Sequence, residues 1–446
     1  MGKGGGVGAP RDFGHCYSGP PGRLLRASLY PENSTPRETV VCWHWLVSSG
    51  YLKERLQQAD EVVHALIEKT QRHDNECINL IPSANYVAKS VIETLGSVLQ
   101  NPNSEGYIGK KYFPGTKNLD EAERLCQRRA LRAFNLDEAV WTVNVQSHSR
   151  ELSRLQACSA ILRPHDRLFT LAPTGRSYLS KYFTTLSFNN HHSTSNIDYG
   201  ALKDMIVAFR PRVLLSDASA SGRRIDYRTI SAICRSLRIY VLLDITETSG
   251  LITGGLITSP FEYADIVVTG TRGFLRGPSG ALIFSRRNAF VQRTDVKDAE
   301  ELRSIADAID QSVFPGHQGG PHNHAISAVA VALKQASTPT FKAYQSCAVE
   351  NAEALADRLT CLGYHLNANH KPTYYLVVKL TAVNARWTKR VLDAIGIAAD
   401  VVVEESELHL GTLAMTSRGF LPADFRWVAD IIHKAVIITQ LYYTLY

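Results

Sequence analysis

Apolar residues recur at helical spacing as soon as the chain leaves its first fifty positions. Leu52, Leu56, Val63, Leu66 and Ile67 predict an amphipathic helix over 51–72. Val91, Leu95, Val98 and Leu99 mark another, and Glu121–Phe134 a third that Asn135 ends. The middle of the chain alternates short β-rich runs with helical ones. Arg167–Leu171, Val213–Ser216, Ile239–Asp244, Ile266–Thr269 and Ala281–Phe284 read as buried strands, with Ala201–Phe209 and Ile230–Leu237 as helices between them. That alternation predicts an α/β fold with a mostly parallel sheet covered on both faces. In such sheets a ligand sits at the carboxyl ends of the strands. Beyond about residue 340 come the helix Ala348–Leu362, the strand Tyr374–Leu380, a helix near Thr388–Ile395 and the long helix Pro422–Leu441, a smaller α+β unit.

The first fifty residues have a different character. Glycines crowd the start and prolines stand at 10, 20, 21, 31 and 36, so this stretch buries too little apolar surface to offset its ordering entropy. It carries Lys3, Arg11, Arg23, Arg26 and Arg37 against Asp12, Glu32 and Glu38. Such a balance fits either a flexible tail or an organellar, mitochondrial-type targeting segment, although its glycines suit poorly the helix such segments use. At 446 residues and 44% hydrophobic positions, the chain has room for two or three packed units and a large core. The net charge of +7, without a basic stripe interleaved with aromatics, argues against a dedicated nucleic-acid binder. Arg223-Arg224 and Arg128-Arg129 read as solvated faces. Eight cysteines without a CxxC pair predict reduced, mostly buried thiols, not disulfides or a zinc site. No run of about 18 apolar residues predicts a membrane span, so a soluble intracellular protein is expected.

Three segments carry candidate chemistry. Asp244 ends an apolar strand, where it serves either as a ligand group or as a helix N-cap. In Phe314–His324, Gly319-Gly320-Pro321 precedes the helix Ala325–Ala336 and offers free N–H groups that suit an anion. Its three histidines match no common zinc spacing, so no metal is expected. Ser104-Glu105-Gly106-Tyr107 sets a carboxylate beside a phenol, a weak acid/base motif by itself.

Taken together, SEGYIGKKYF (104–113), LCQRRALRAFNLD (125–137), WTVNVQ (141–146), SPFEYADIVVTGT (259–271), VFPGHQGGPHNHAISAVAVALKQA (313–336) and LGTLAMTSRG, ending at Gly419, resemble serine hydroxymethyltransferase. That family uses pyridoxal phosphate to move a one-carbon unit between serine and tetrahydrofolate. The resemblance runs from about Leu52 to the C-terminus. It implies a fold-type I architecture: a leader over 1–50, an N-terminal helical arm over 51–100, a large domain over 101–340 with a seven-stranded mixed sheet, and a small domain over 341–446. It also implies a dimer with shared active sites.

The family's chemistry, carried over position by position, meets several departures. Where the family reads T-H-K-T-L-R-G, this chain has Thr271-Arg272-Gly273-Phe274-Leu275-Arg276-Gly277, so Gly273 stands at the Schiff-base lysine. Glycine has no nucleophile, and a neighbouring guanidinium stays protonated. The phosphate cradle S-G-S has become Ser149-Arg150-Glu151. The stacking histidine falls on Ser177 or Tyr178, a further histidine on Glu247, the carboxylate-clamping arginine on His409, and a glutamate on Ala84. Val401–Leu408, before His409, is shorter than the family's loop and lacks its proline and arginine. The cofactor-binding remnants are Ser149, Ser219, Asp244, Gly319 and Gly320; the substrate-binding remnants are Ser83, Glu105, Tyr107 and Tyr112.

The resemblance therefore predicts a pseudoenzyme with no intact catalytic residue and no pyridoxal phosphate. Its role would be structural or regulatory, as a homodimer, as a heterodimer with an active family member, or within a larger assembly. The alternatives are a residual serine hydroxymethyltransferase and a non-covalent ligand sensor. Arg150 or Arg272 is expected to pair with Glu247.

Overall fold

The structure is a computed structural model that describes residues 54–171, 178–188, 197–217, 225–292, 302–366, 373–381, 383–402 and 406–445. The leader over 1–50, Ser177, Ser219 and the Arg223-Arg224 pair lie outside the described residues. The chain divides into two units, 1–75 and 76–446.

The helix expected over 51–72 is two helices, Leu56–Ala59 and Glu61–Glu76, the second ending at the boundary between the units. Asp60 interrupts it: its backbone is extended, and its carboxylate accepts the Val63 N–H at 2.9 Å and so caps the second helix. Val62, Val63, Leu66 and Ile67 are exposed along that helix.

The second unit is built on a seven-stranded sheet in the spatial order Trp141–Asn144, Ala281–Arg286, Ile266–Gly270, Tyr240–Asp244, Val213–Asp217, Arg167–Thr170, Thr184–Ser187. The pairings from Ile266–Gly270 through to Thr184–Ser187 are parallel, while Ala281–Arg286 runs antiparallel to both its neighbours. Fold class and mixed sheet are as expected. Two apolar clusters cover its faces. One gathers Phe169, Leu214, Val241, Leu243 and Phe284 with the helix residues Ile206 and Ile230. The other gathers Leu168, Leu215, Leu242 and Val268 with Leu155 and Ile309. Successive residues of one strand thus belong to opposite faces, as the period of two requires.

Residues 365–411 supply a four-stranded antiparallel sheet ordered His365–Leu366, Tyr375–Lys379, Glu407–Gly411, Asp400–Val402. It packs with the helices Pro339–Cys361, Ala385–Ala394 and Pro422–Leu445 around Leu355, Leu376, Leu408, Phe425 and Ile432. The helix read as Ala348–Leu362 begins earlier, at Pro339. Thr338 caps it by accepting the Phe341 N–H, and proline suits a first turn that needs no donor. Arg129 is not a solvated residue: its guanidinium donates to the Ala330 carbonyl at 2.8 Å and ties the helix Lys117–Ala133 to Asn323–Ala336. The six described cysteines are free thiols, four of them buried. Among the described residues no helix is long and apolar enough to cross a membrane.

Candidate active site

At the carboxyl ends of three parallel strands Asp217 pairs with Asp244, Asp244 pairs with Val268 two residues before Gly270, and the helix Arg150–Ile161 begins nearby. Ser149 caps that helix by accepting the Leu152 N–H at 3.2 Å. A Cβ on Gly270 would stand 3.3 Å from Thr246 Cγ2 and 3.4 Å from the Arg150 Cβ, so the arginine stem packs beside this strand-end glycine. The guanidinium then reaches three carboxylates. Nε donates to Asp244 Oδ2 at 2.9 Å, Nη2 to Asp217 Oδ1 at 3.0 Å, and Nη1 to Glu247 Oε1 at 3.5 Å. Arg154, one helical turn on, donates Nε to Asp244 and Nη2 to Asp217.

The expected pairing of Glu247 is therefore made by Arg150, while Arg272 is exposed. Asp244 is fully buried, and its second oxygen accepts the Thr246 N–H at 2.8 Å. Burial opposes its ionisation, but Arg154 and Arg150 outweigh that cost and hold its carboxyl down at about 2. Asp244 is not the N-cap of the turn that follows, which is Ile245; its carboxylate accepts the Thr246 N–H and pairs with Arg150 and Arg154. Arg154 and Asp217 were missed; their only sequence signal is an arginine one turn after Arg150 and an aspartate ending the strand that pairs with Asp244.

Gly273 lies in a turn at φ +72°, and a Cβ there would stand 2.4 Å from the Ser83 carbonyl oxygen. Asn85 Nδ2 donates to the Gly273 carbonyl at 2.9 Å and fixes the approach. Tyr178 donates its hydroxyl to the Glu151 carbonyl, in the first turn of the Arg150 helix. His409 lies in the small sheet, where its ring nitrogens meet the Tyr375 hydroxyl at 2.7 Å and Glu407 Oε2 at 3.1 Å. Lys379 Nζ holds the other Glu407 oxygen at 2.7 Å. Burial works against ionisation of Glu407, but the Lys379 and His409 hydrogen bonds prevail and lower its pKa.

The segment 104–112 is tied to the large sheet. Ser104 Oγ donates to Asn323 Oδ1 at 2.7 Å, and the Tyr107 hydroxyl to the Asp310 carbonyl at 2.5 Å. Asn144 Nδ2 bonds Asp310 Oδ1 at 2.7 Å; burial pushes that carboxyl up to about 6 despite this bond. Beneath lies a Lys111–Glu123 pair at 2.7 Å with side chains 3% and 4% exposed, and Gln146 Nε2 donates to the second Glu123 oxygen at 2.8 Å. Glu105 packs on Gly320, whose added Cβ would lie 3.2 Å from Glu105 Oε1, whereas Gly319 faces open space. Tyr112 is exposed, with its ring 5.4 Å from Phe314. Ser83 is exposed, and its carbonyl lies against Gly273. The His148 and His322 rings stack in parallel at 3.9 Å, and burial together with His322 lowers His148 to about 4. Among the described residues no group of three or more His, Cys, Asp or Glu is placed to hold a metal.

A family model described as serine hydroxymethyltransferase matches residues 56–432. The chain belongs to the serine hydroxymethyltransferase family. It is 41% identical over 413 residues to "Serine hydroxymethyltransferase, mitochondrial" of Schizosaccharomyces pombe, covering 87% of this chain and 84% of that protein. It is 38% identical over 442 residues to the Saccharomyces cerevisiae protein of the same name, covering 92% and 90%. It is 41% identical over 410 residues to "Serine hydroxymethyltransferase, cytosolic" of Neurospora crassa, covering 86% and 85%.

Family membership makes pyridoxal phosphate the group to test against these residues. A cofactor ring presented to Asp244 would meet the Arg150 guanidinium already bound there. A phosphate at the Arg150–Ile161 helix start would meet the Arg150 side chain, with Glu151 beside it. The helix N-terminus itself still favours an anion. The described residues near Asp244 bring no lysine amine to the cluster; its cations are guanidiniums.

Proposed function

We propose that this family member is a pseudoenzyme, a serine hydroxymethyltransferase fold that forms no aldimine with pyridoxal phosphate and acts as a structural or regulatory subunit. The observation that carries the reading is the glycine at 273. It offers no amine, and its positive φ and the neighbouring Ser83 carbonyl leave little room for a larger residue. Arg150 on Asp244 adds a second obstacle, and His409, engaged by Tyr375 and Glu407, supplies no bidentate fork for a substrate carboxylate. A covalent anchor, a phosphate cradle and a substrate clamp each contribute on the order of several kcal/mol, so losing all three removes many powers of ten in affinity and rate.

As a subunit, the chain would act as a homodimer or pair with an active relative. The pairing idea rests on the resemblance, whose family uses these segments across its interface; within this chain Glu105 packs on Gly320 and Tyr107 donates to the Asp310 carbonyl. Co-purification beside an active relative distinguishes the two, since recovery of homodimers alone contradicts the heterodimer. The domain limits at 100/101 and 340/341 belong to the same reading. A mitochondrial address is proposed from the arginine-bearing leader and from the relatives named mitochondrial, and a fluorescent fusion of residues 1–50 that stays diffuse would overturn it.

A second reading keeps serine, glycine and tetrahydrofolate as substrates, and the names and identities of the relatives favour it. It requires an amine from elsewhere in the chain to reach the site. Titration of the purified chain with pyridoxal phosphate, followed by visible absorbance and borohydride trapping, separates the two readings. The pseudoenzyme gives neither an aldimine band nor a trapped adduct. A specific adduct would move the assignment to the second reading and call for a serine-cleavage assay.

A further inference from the structure

The C-terminal part of the chain holds a pocket of about 530 Å³, within the size range of small-molecule sites, that shares no residue with the Asp244 cluster. One wall is the helix Ala385–Ala394. The other is Ile81 with the segment 397–400, brought together because Ile78–Asn79 pairs in parallel with Ile397–Ala398. Arg386, Lys389 and Arg390, spaced i, i+3 and i+4, set three cations on one face of that helix, and all three line the pocket. Like charges at this spacing repel. Arg386 in the first turn and Asp393 in the last also both oppose the helix dipole, whose N-terminal end is positive. Among the described residues none of the three cations is paired with a carboxylate, although Asp393 stands one turn from Lys389 and Arg390. The Arg390 guanidinium lies over the Trp387 ring, 4.8 Å from its centroid, which restricts where it points. Asn384 accepts the Arg386 and Trp387 N–H groups at 3.1 and 3.2 Å, so the free donors here are side chains and not the helix end.

We propose that this pocket binds a small phosphorylated molecule, its phosphate held by Arg386, Lys389 and Arg390 and its body lying against Ile81 and Ile397. Guanidinium forks match phosphate oxygens two at a time, and the lysine adds a point charge. A bound dianion offsets the repulsion among the three cations. Phosphate alone fills only a small part of the pocket, and Ile81 and Ile397 give it nothing to bond, so the ligand carries an organic body. Asp393 and Asp400, also in the lining, accept from hydroxyl groups on that body. A sugar or polyol phosphate has this pattern, a dianion at one end and hydroxyl donors at the other. The inference stands whether or not the chain forms an aldimine.

The test is calorimetric titration of the full chain with myo-inositol 1-phosphate, and separately with its two halves, myo-inositol and inorganic phosphate. The probe has no aldehyde, so its binding is independent of cofactor chemistry and the two readings fail separately. One equivalent should bind, at least about tenfold more tightly than inorganic phosphate, with no heat from myo-inositol. Arg386→Gln and Arg390→Gln should each weaken it at least about tenfold, the scale of one charge-assisted hydrogen bond. Arg128→Gln with Arg132→Gln, two exposed arginines of the helix Lys117–Ala133, should leave the affinity unchanged. Without ligand, the triple variant Arg386→Gln, Lys389→Gln, Arg390→Gln should unfold at or above the parent's temperature, because it removes like-charge repulsion. Absence of saturable binding, or equal affinity for inorganic phosphate, overturns the inference. So does an equal loss in the Arg128, Arg132 variant, which would mark diffuse attraction, or a ligand-free triple variant that unfolds earlier, which would make the cations structural.

Discussion

A Cβ placed on Gly273 would stand 2.4 Å from the carbonyl oxygen of Ser83. Real Cβ atoms do not come so close to backbone, and the φ of +72° at Gly273 adds strain for any other residue. The absent amine and the local backbone thus agree: the turn has settled onto Ser83, and Asn85 holds it there through the Gly273 carbonyl.

Placing a lysine at 273 should therefore not be enough to give an aldimine. Gly273→Lys is expected to cost about 1–3 kcal/mol from backbone strain, with the Ser83 contact adding to it. It should give no aldimine band while Arg150 remains on Asp244. Denaturant unfolding and visible absorbance of the variant check both parts; a stable variant that absorbs as an aldimine would contradict them.

The Lys111–Glu123 pair at 2.7 Å is the most deeply buried ion pair in the 104–123 region. Lys111→Met strands a carboxylate that then keeps only the Gln146 amide, and is expected to cost about 3–5 kcal/mol. Replacing both partners, Lys111→Met with Glu123→Leu, should cost less than that single change. A double-mutant cycle in urea measures the difference.

Two groups give opposite pH slopes. Asp310 is held up at about 6 by burial, so the folded chain binds its proton more tightly than the unfolded one. Its contribution favours folding at low pH and is lost as pH rises from about 4 to 6, a swing of about 2 kcal/mol. His148 is held down at about 4 by burial and His322, so stability is lost as pH falls from about 6.5 toward 4. Asp310→Asn should unmask the histidine's rising slope, and His148→Gln the aspartate's falling one. Urea midpoints between pH 4 and 7 read both; parallel profiles for the parent and both variants would contradict the assignment.

The alternation of apolar strands and helices made the sheet legible because its central strands are buried on both faces, and such strands read as continuous apolar runs. Trp141–Asn144 and Thr184–Ser187 went unread as strands. They are the two edges of the sheet, four residues each, and carry polar residues at half or more of their positions. The break at Asp60 was hidden because apolar residues keep their spacing across it, while the cap that makes it is a single carboxylate. In the site, the Arg150–Glu247 pair followed from the opposite charges at positions 150 and 247. Asp217 and Arg154 did not, because strand ends distant in sequence converge only in three dimensions. The contact between Gly273 and Ser83 was likewise invisible, since backbone proximity leaves no mark in composition or period.

The central claim is that this family member forms no covalent complex with pyridoxal phosphate. Borohydride reduction of the purified chain after saturation with the cofactor, read by intact mass, tests it most directly. The account predicts an unmodified mass under conditions in which an active relative is stoichiometrically labelled. A single stoichiometric adduct mapping to one lysine would contradict it and return the chain to catalysis.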